Sequence, residues 1–263
     1  MYPYVEQQRV WGHELKLNVV SVRTEDWFGS AGFVRRRRGD FAQAAIDMNK
    51  WNPHLRAMIK PGNTVIDCGA NEGWVTCIFA KQVGPLGRVI AIEPDSENIE
   101  RIKANLALND LHNVTVMHRA VGTTSGEVLR FAVERVVDEP VPGHRNEDVL
   151  TVSIDDLAAS GKPDVIKIDI EAWELAALRG ASKTLAAGAL WEIEMHLTPG
   201  EAHMTEWFGF DPAEIMDILQ RQHGYTVRID GRVLEPGEIP GHGAMWAHRG
   251  ERIVHAEREG ASA

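Results

Sequence analysis

Val65-Ile66-Asp67-Cys68-Gly69-Ala70-Asn71-Glu72-Gly73 is the stretch whose reading decides the fold. From Thr64 to Gly69 an apolar run reads as a buried strand, a glycine-bearing turn follows, and Gly73 to Val83 reads as a helix. Glycines at 69 and 73 allow the backbone to come close to a ligand, and the amides opening the helix carry partial positive charge. Twenty residues beyond Gly73, at the end of the next strand-like run Arg88 to Glu93, stands Glu93, a carboxylate placed to accept from both hydroxyls of a ribose.

Outward from this segment the same grammar repeats. Ser96 to Asn109 reads as a helix with Ile99, Ile102 and Leu106 on one face, Val114 to Met117 as a strand, Asp164 to Asp169 as a strand, then a helix over Leu175, Leu178 and Leu185, and Ala189 to His196 as a strand. Asp211-Pro212-Ala213-Glu214 supplies an N-cap, a proline at the first helical position and a capping-box glutamate for one more helix, which Gly224 ends. Alternation of this kind predicts a parallel sheet covered on both faces. Tyr225 to Ile229, Val233-Leu234 and Gly243 to His248 follow one another without a crossover helix, so they predict an antiparallel edge. Upstream, Arg35 to Arg38 reads as a solvated basic turn, and short helices are expected from Asp40 and from Asn52-Pro53; Asp138 to Asp148 reads as a polar loop.

Composition limits the function classes. With 263 residues, 44% of them hydrophobic, there is ample material for one large core or two small ones, and a disordered or fibrous chain is excluded. A net charge of −10 disfavours phosphate backbones and anionic membranes. The two cysteines, Cys68 and Cys77, fall in one strand-to-helix segment, which excludes a disulfide scaffold and points to a reducing compartment. No apolar run reaches the ~20 residues of a membrane span, and the expectation is a soluble, cytoplasmic protein without nucleic-acid or membrane partners.

The crevice chemistry narrows further. The G-x-G-x-x-G spacing that seats a pyrophosphate is absent, because Asn71 stands where the second glycine would be. Asp67 in the same turn would repel phosphate and attract a cation, which suits S-adenosylmethionine, a ligand with an ammonium, a sulfonium and no phosphate. A second acidic cluster, Lys167-Ile168-Asp169-Ile170-Glu171-Ala172-Trp173-Glu174, sits at the end of the fourth strand and borders the same crevice. Lys167 reads as a partner for these acids. In Trp191-Glu192-Ile193-Glu194-Met195-His196, strict alternation puts Glu192, Glu194 and His196 on one face, with His196 at the crevice end as a candidate proton acceptor.

Asp67-x-Gly69-Ala70-Asn71-x-Gly73, Glu93-Pro94, Lys167-x-Asp169-x-Glu171-x-x-Glu174 and Glu194-x-His196 together closely resemble the FkbM-type S-adenosylmethionine-dependent methyltransferases, over residues 40 to 250. The resemblance implies a class I, Rossmann-like α/β fold with a mostly parallel seven-stranded sheet and an antiparallel C-terminal hairpin edge. It also implies O-methylation of a hydroxyl on a sugar, natural product or other small molecule. On this reading residues 1–59 are an extension with short helices on the acceptor side, 60–250 the methyltransferase domain and 251–263 a polar tail. Asp67, Gly69, Ala70, Asn71 and Gly73 are expected to hold the amino-acid part of the cofactor, Glu93 and Pro94 the ribose side, and Ala120-Val121 the adenine edge. Asp169 is expected to border cofactor and acceptor. His196 is expected as the base, oriented by Asp169, Glu171 or Glu194. Asp169, Glu194 and His196 form an alternative set for a divalent metal. The aromatic-rich stretch 198–210 is a candidate lid.

The sequence departs from the family pattern at one turn: Ala172 follows Glu171 where relatives carry glycine, so a positive φ there would strain it and Trp173 would reshape the acceptor pocket. A nicotinamide-dependent oxidoreductase and a non-catalytic S-adenosylmethionine-binding protein are the competing classes. The amine-methylating Asn/Asp-Pro-Pro-Tyr/Phe motif of nucleic-acid methyltransferases is absent. The sequence is equally compatible with a monomer and a homo-oligomer.

Overall fold

Alternate residues of the central strands face opposite helical layers. Val65, Val89 and Val165 enter one core with Phe79 and Ile102, whereas their neighbours Ile66, Ile90 and Ile166 enter a second core with Leu175, Leu178 and Trp191. Strands buried on both faces have no polar alternation, which is why these segments read as continuous apolar runs. The structure is a computed structural model and describes residues 4–19, 53–132, 135–137, 139–195, 211–229, 231–239 and 243–249. Arg35 to Arg38, the helix expected from Asp40, His196, the 198–210 stretch and the tail from 251 lie outside the described residues.

In chain order, β1 (Tyr4–Val10) and β2 (His13–Val19) form a hairpin, and α1 (Pro53–Met58) precedes β3 (Thr64–Cys68). Then come α2 (Trp74–Val83), β4 (Arg88–Glu93), α3 (Ser96–Leu108), β5 (Val114–His118), and the short strands β6 (Ala120–Val121), β7 (Val128–Ala132) and β8 (Arg135–Val136). β9 (Asn146–Val152), α4 (Ile154–Leu157), β10 (Val165–Ile168), α5 (Glu174–Arg179), α6 (Ser182–Ala186) and β11 (Leu190–Met195) follow. The chain closes with α7 (Pro212–Met216), β12 (Thr226–Ile229), β13 (Arg232–Val233) and β14 (Gly243–His248).

The main sheet runs β13-β12-β14-β11-β10-β3-β4-β5, eight strands where seven were expected, the eighth being the two-residue β13. β11, β10, β3, β4 and β5 are mutually parallel, and β14 and β12 add the antiparallel edge. Strand order reverses between β3 and β10, so the crevice opens beyond the carboxyl ends of β3, β4 and β10.

Three features depart from the sequence reading. Residues 4–19 form a hairpin whose Val10, Trp11 and Leu15 are buried and whose Trp11 stacks on Phe79 at 6.3 Å between centroids; the alternation of Leu15 and Leu17 with Glu14 and Lys16 is the signal that would have found it. A second sheet, β6-β9-β7-β8, occupies 120–152, and β9 takes the end of the expected loop. The single helix expected over Leu175 to Leu185 breaks into α5 and α6 at Gly180, where a Cβ would meet the Gly122 carbonyl at 2.3 Å. No helix among the described residues is long and apolar enough to cross a membrane.

Beneath the sheet's edge, Trp191 donates its indole N–H to the Tyr225 hydroxyl at 3.0 Å, and that hydroxyl's own hydrogen faces the carbonyls of Leu185 (2.9 Å) and Ala189 (3.1 Å). Replacing Tyr225 with Phe leaves a fully buried indole N–H unpaired. We expect Tyr225→Phe to lose about 1–3 kcal/mol of stability, read as a lowered urea midpoint with unchanged slope.

Candidate active site

The turn after β3 is held down by its own backbone amides. Gly69 and Ala70 both donate to the Ile92 carbonyl at 3.0 Å, Asn71 donates to Glu93 Oε2 at 2.8 Å and Gly73 to the Ala70 carbonyl at 2.8 Å. Gly69 has φ +79°, and a Cβ on it would lie 1.9 Å from the Asp169 carbonyl oxygen. Only a residue with no side chain permits that approach of β10 to β3. Asn71, with φ 49°, occupies the left-handed region that asparagine tolerates better than most residues.

Glu93 ends β4 at the cavity wall. Its Oε1 accepts from the Asp95 amide at 2.9 Å and from Asn98 Nδ2 at 3.4 Å. Asp95 then caps α3, accepting from the amides of Glu97 (2.8 Å) and Asn98 (3.2 Å), so the strand end and helix start are one hydrogen-bonded unit. Burial pushes the Glu93 carboxyl up to about 7, against the lowering effect of the Asp95, Asn71 and Asn98 donors. Burial also opposes ionisation of Asp95, but the Arg145 guanidinium and the capping amides hold it below the usual carboxylate range.

Across the crevice, Lys167 stands in register between Asp67 on β3 and Glu192 on β11. Its Nζ lies 3.2 Å from Asp169 Oδ2 and 3.7 Å from Asp67 Oδ1. Burial alone would lower the ammonium's pKa, but Asp169, Asp67, Glu192 and Glu194 together hold it well above the ordinary lysine range. Lys167 is thus a permanent cation that partners the acids, as its place in the motif suggested.

One cavity joins these groups. It is open to solvent on one side and lined by both polar and apolar side chains. Gly69, Ala70 and Asn71 wall it from the turn, Glu93 and Pro94 from β4, Ala120 and Val121 from the start of the second sheet, and Asp169 and Glu171 from the end of β10. Two expected contact residues stand elsewhere. Asp67 is fully buried behind the wall, because strand alternation turns it toward α2, where its Oδ2 accepts from Thr76 Oγ1 at 2.6 Å. Gly73 packs α2 against Ile102, within 3.0 Å of where a Cβ would stand. Glu194 is half-buried and not on the wall, and His196 is outside the described residues, so neither the expected base nor the alternative metal set is assembled among them. Among the described residues no three His, Cys, Asp or Glu side chains converge on a metal position.

The cavity also uses residues that the motifs did not mark. Asn98 and Arg101, three apart on α3, form a polar strip in which Arg101 donates to Asn98 Oδ1 at 2.9 Å and to Glu72 Oε1 at 3.2 Å. Their i, i+3 spacing on the helix face away from Ile99 and Ile102 was the available signal. Phe131 reaches the wall from the second sheet, and nothing in its own segment foretold that.

Residues 67–227 match the family model described as the Methyltransferase FkbM domain. Hexuronic acid methyltransferase AglP of Haloferax volcanii is 27% identical over 161 residues, covering 58% of this chain and 59% of that protein. Arsenite methyltransferase of Halobacterium salinarum is 40% identical over 71 residues, covering 27% of this chain and 18% of that protein. The chain therefore spans less than two thirds of either relative. A solved S-adenosylmethionine-dependent methyltransferase from Aquifex aeolicus is 19% identical with a TM-score of 0.42, covering 75% of this chain and 88% of that one.

S-adenosyl-L-methionine, the cofactor of this family, fits the residues present. Glu93 offers a carboxylate for the ribose hydroxyls, Ala120, Val121 and Phe131 an apolar wall for the adenine, and Asp169 and Glu171 an acidic environment for a sulfonium and an ammonium. A pyrophosphate fits poorly: the amides of Gly69, Ala70, Asn71 and Gly73 are all already engaged inside the protein.

The raised Glu93 carboxyl sets opposite pH trends for the free and bound protein. A folded pKa of about 7 against an ordinary value of ~4.3 means that its contribution to stability is full below about 4.3 and is lost as pH rises through about 7. Ribose hydroxyls donate best to the ionised form. Between pH 5.5 and 8 we expect unliganded stability to decline and S-adenosylhomocysteine affinity to rise, measured by urea titration and calorimetry, with Glu93→Ala removing both trends.

Proposed function

The chain belongs to the FkbM methyltransferase family, and from that premise we propose that it transfers a methyl group from S-adenosyl-L-methionine to a hydroxyl of a sugar or similar oxygen-rich small molecule. The observation that carries this reading is the single cavity shared by Glu93 on one side and the Asp169 end of β10 on the other. A relative named for action on a hexuronic acid supports a sugar acceptor. When bound, S-adenosyl-L-methionine supplies an electrophilic methyl group on a positively charged sulfur.

The chain's own residues do the remaining work. Glu93, anchored by Asn71 and Asp95, holds the ribose, and Ala120 and Val121 flank the base. Asp67 and Gly73 act through the turn that they shape, one bonded to Thr76 and the other packed on Ile102. Lys167 holds Asp169 in place at the cavity wall through an ion pair at 3.2 Å. On this reading the acceptor hydroxyl lies at the β10–β11 end, and His196, the next residue after β11, takes its proton. A positioned base contributes ~10²–10⁴-fold. The protein needs no nucleic-acid partner for this chemistry, and its net charge of −10 opposes one.

Calorimetry with S-adenosylhomocysteine and NADH in parallel tests the cofactor. Binding of the first alone is expected; NADH alone would make Glu93 a dinucleotide ligand, and silence from both would favour a fold that has lost its chemistry. His196→Ala should lower turnover about 10²–10⁴-fold while S-adenosylhomocysteine affinity stays within about twofold. Turnover that survives in His196→Ala removes histidine as the base, and turnover that vanishes on chelation and returns with Mg²⁺ brings the metal set forward.

A further inference from the structure

Three cationic side chains line the cavity, those of Arg101, Arg119 and Lys167. Two of them are engaged by carboxylates of the protein: Lys167 by Asp169 and Asp67, and Arg101 by Glu72 at 3.2 Å and Glu97 at 3.3 Å. Arg119 differs. Its Nη1 donates to the carbonyl of its own neighbour, His118, at 2.8 Å, and its guanidinium pairs with no carboxylate among the described residues. A guanidinium carries its donors in a rigid planar fork and accepts nothing, so most of the Arg119 fork is left for a ligand atom that accepts. In a chain with 38 acids against 28 bases, a half-buried cation that meets no acid at the wall of an acidic cavity calls for such a partner.

Sheet order decides which ligand atom that is. Arg119 follows β5, and its amide donates to the Glu93 carbonyl at 3.2 Å, so it stands beside the end of β4 that carries the ribose carboxylate. Ala120 and Val121 come directly after it, and Phe131 and Val136, which pair across β7 and β8, line the cavity from the same second sheet. The order β10-β3-β4-β5 puts three strand steps, about 14 Å at ~4.8 Å each, between Arg119 and the β10 end where the acceptor hydroxyl lies. The carboxylate of a uronic acid, the other natural partner for a guanidinium, is therefore out of reach from a monosaccharide seated at β10. The part of S-adenosylmethionine that extends past the ribose toward β5 is the base. Adenine is uncharged and flat, and its ring nitrogens N1, N3 and N7 are acceptors on its rim.

We infer that Arg119 determines specificity for the cofactor's base: its guanidinium donates to a ring nitrogen of adenine, while Ala120, Val121 and Phe131 cover the ring's apolar faces. The inference rests on the S-adenosylmethionine reading above and adds to it the group that reads the base. Apolar walls tolerate any flat ring of the right size, so discrimination comes from a directed polar contact, and a charged donor fixed at the rim supplies one.

Calorimetry on the full chain tests this with S-adenosylhomocysteine and its 1-deaza, 3-deaza and 7-deaza analogues, each of which replaces one acceptor nitrogen with C–H. We expect one analogue to bind the wild-type chain at least tenfold more weakly than S-adenosylhomocysteine, the loss of one charge-assisted hydrogen bond. Arg119→Met, which keeps an unbranched apolar stem, should weaken S-adenosylhomocysteine by the same factor and leave that analogue within about twofold, because the two losses remove one contact and do not add. Equal weakening of all four ligands in Arg119→Met, or unchanged S-adenosylhomocysteine affinity in it, overturns the inference. So does a wild-type chain that binds all three analogues as tightly as S-adenosylhomocysteine, a result that needs no variant. Failure of the wild-type chain to bind S-adenosylhomocysteine at all overturns the cofactor reading instead, so the two failures are distinct.

Discussion

The buried Lys167 ammonium is the interaction on which the site depends. Four carboxylates, on β3, β10 and β11, face it across the middle of an otherwise apolar sheet. Without the cation, Asp67 would be a fully buried carboxylate, opposed by its own desolvation and by the neighbouring Asp169 charge. With it, three parallel strands are joined at one level by opposite charges. Removing one partner of such a buried set commonly costs ~3–5 kcal/mol, because the remaining charge stays behind. The lysine thus contributes to the register of the sheet and to the placement of Asp169 at the cavity wall.

Close approach is the second constraint. Gly69 lets the end of β10 come so near β3 that the Asp169 carbonyl occupies the space a Cβ would need. That contact brings the Glu93 side of the crevice and the β10 turn into one cavity, which Glu171, in the left-handed region, also lines. Local cost is concentrated at the cavity wall, while the two cores above and below the sheet are apolar.

Much of this architecture was legible in the sequence. The strand, turn, helix and second acid of 64–93 fall within a residue or two of their structural bounds, as does the antiparallel edge after Tyr225. Glu93, Asp169 and Ala120-Val121 could be put at one cavity from the sequence because each lies just where a strand of the main sheet ends. Asp67 was harder: its motif position suggests ligand contact, but alternation along β3 and the Thr76 hydroxyl on α2 turn it inward. The break at Gly180 and the contribution of Phe131 depend on a second sheet formed by residues 120–152, a pairing between segments that carry no local mark of each other.

Taken alone, the amino-acid order determined the doubly wound class, the switch-point crevice and the carboxylate that ends β4, because apolar periodicity, glycine turns and capping residues act over a few neighbouring positions. Only the tertiary structure decided which side chains share the cavity. That Lys167 is enclosed by acids from three strands and that Arg101 and Asn98 join Glu93 are consequences of packing between residues distant in sequence. Desolvation and Coulomb effects depend on those distances in space and not on spacing along the chain.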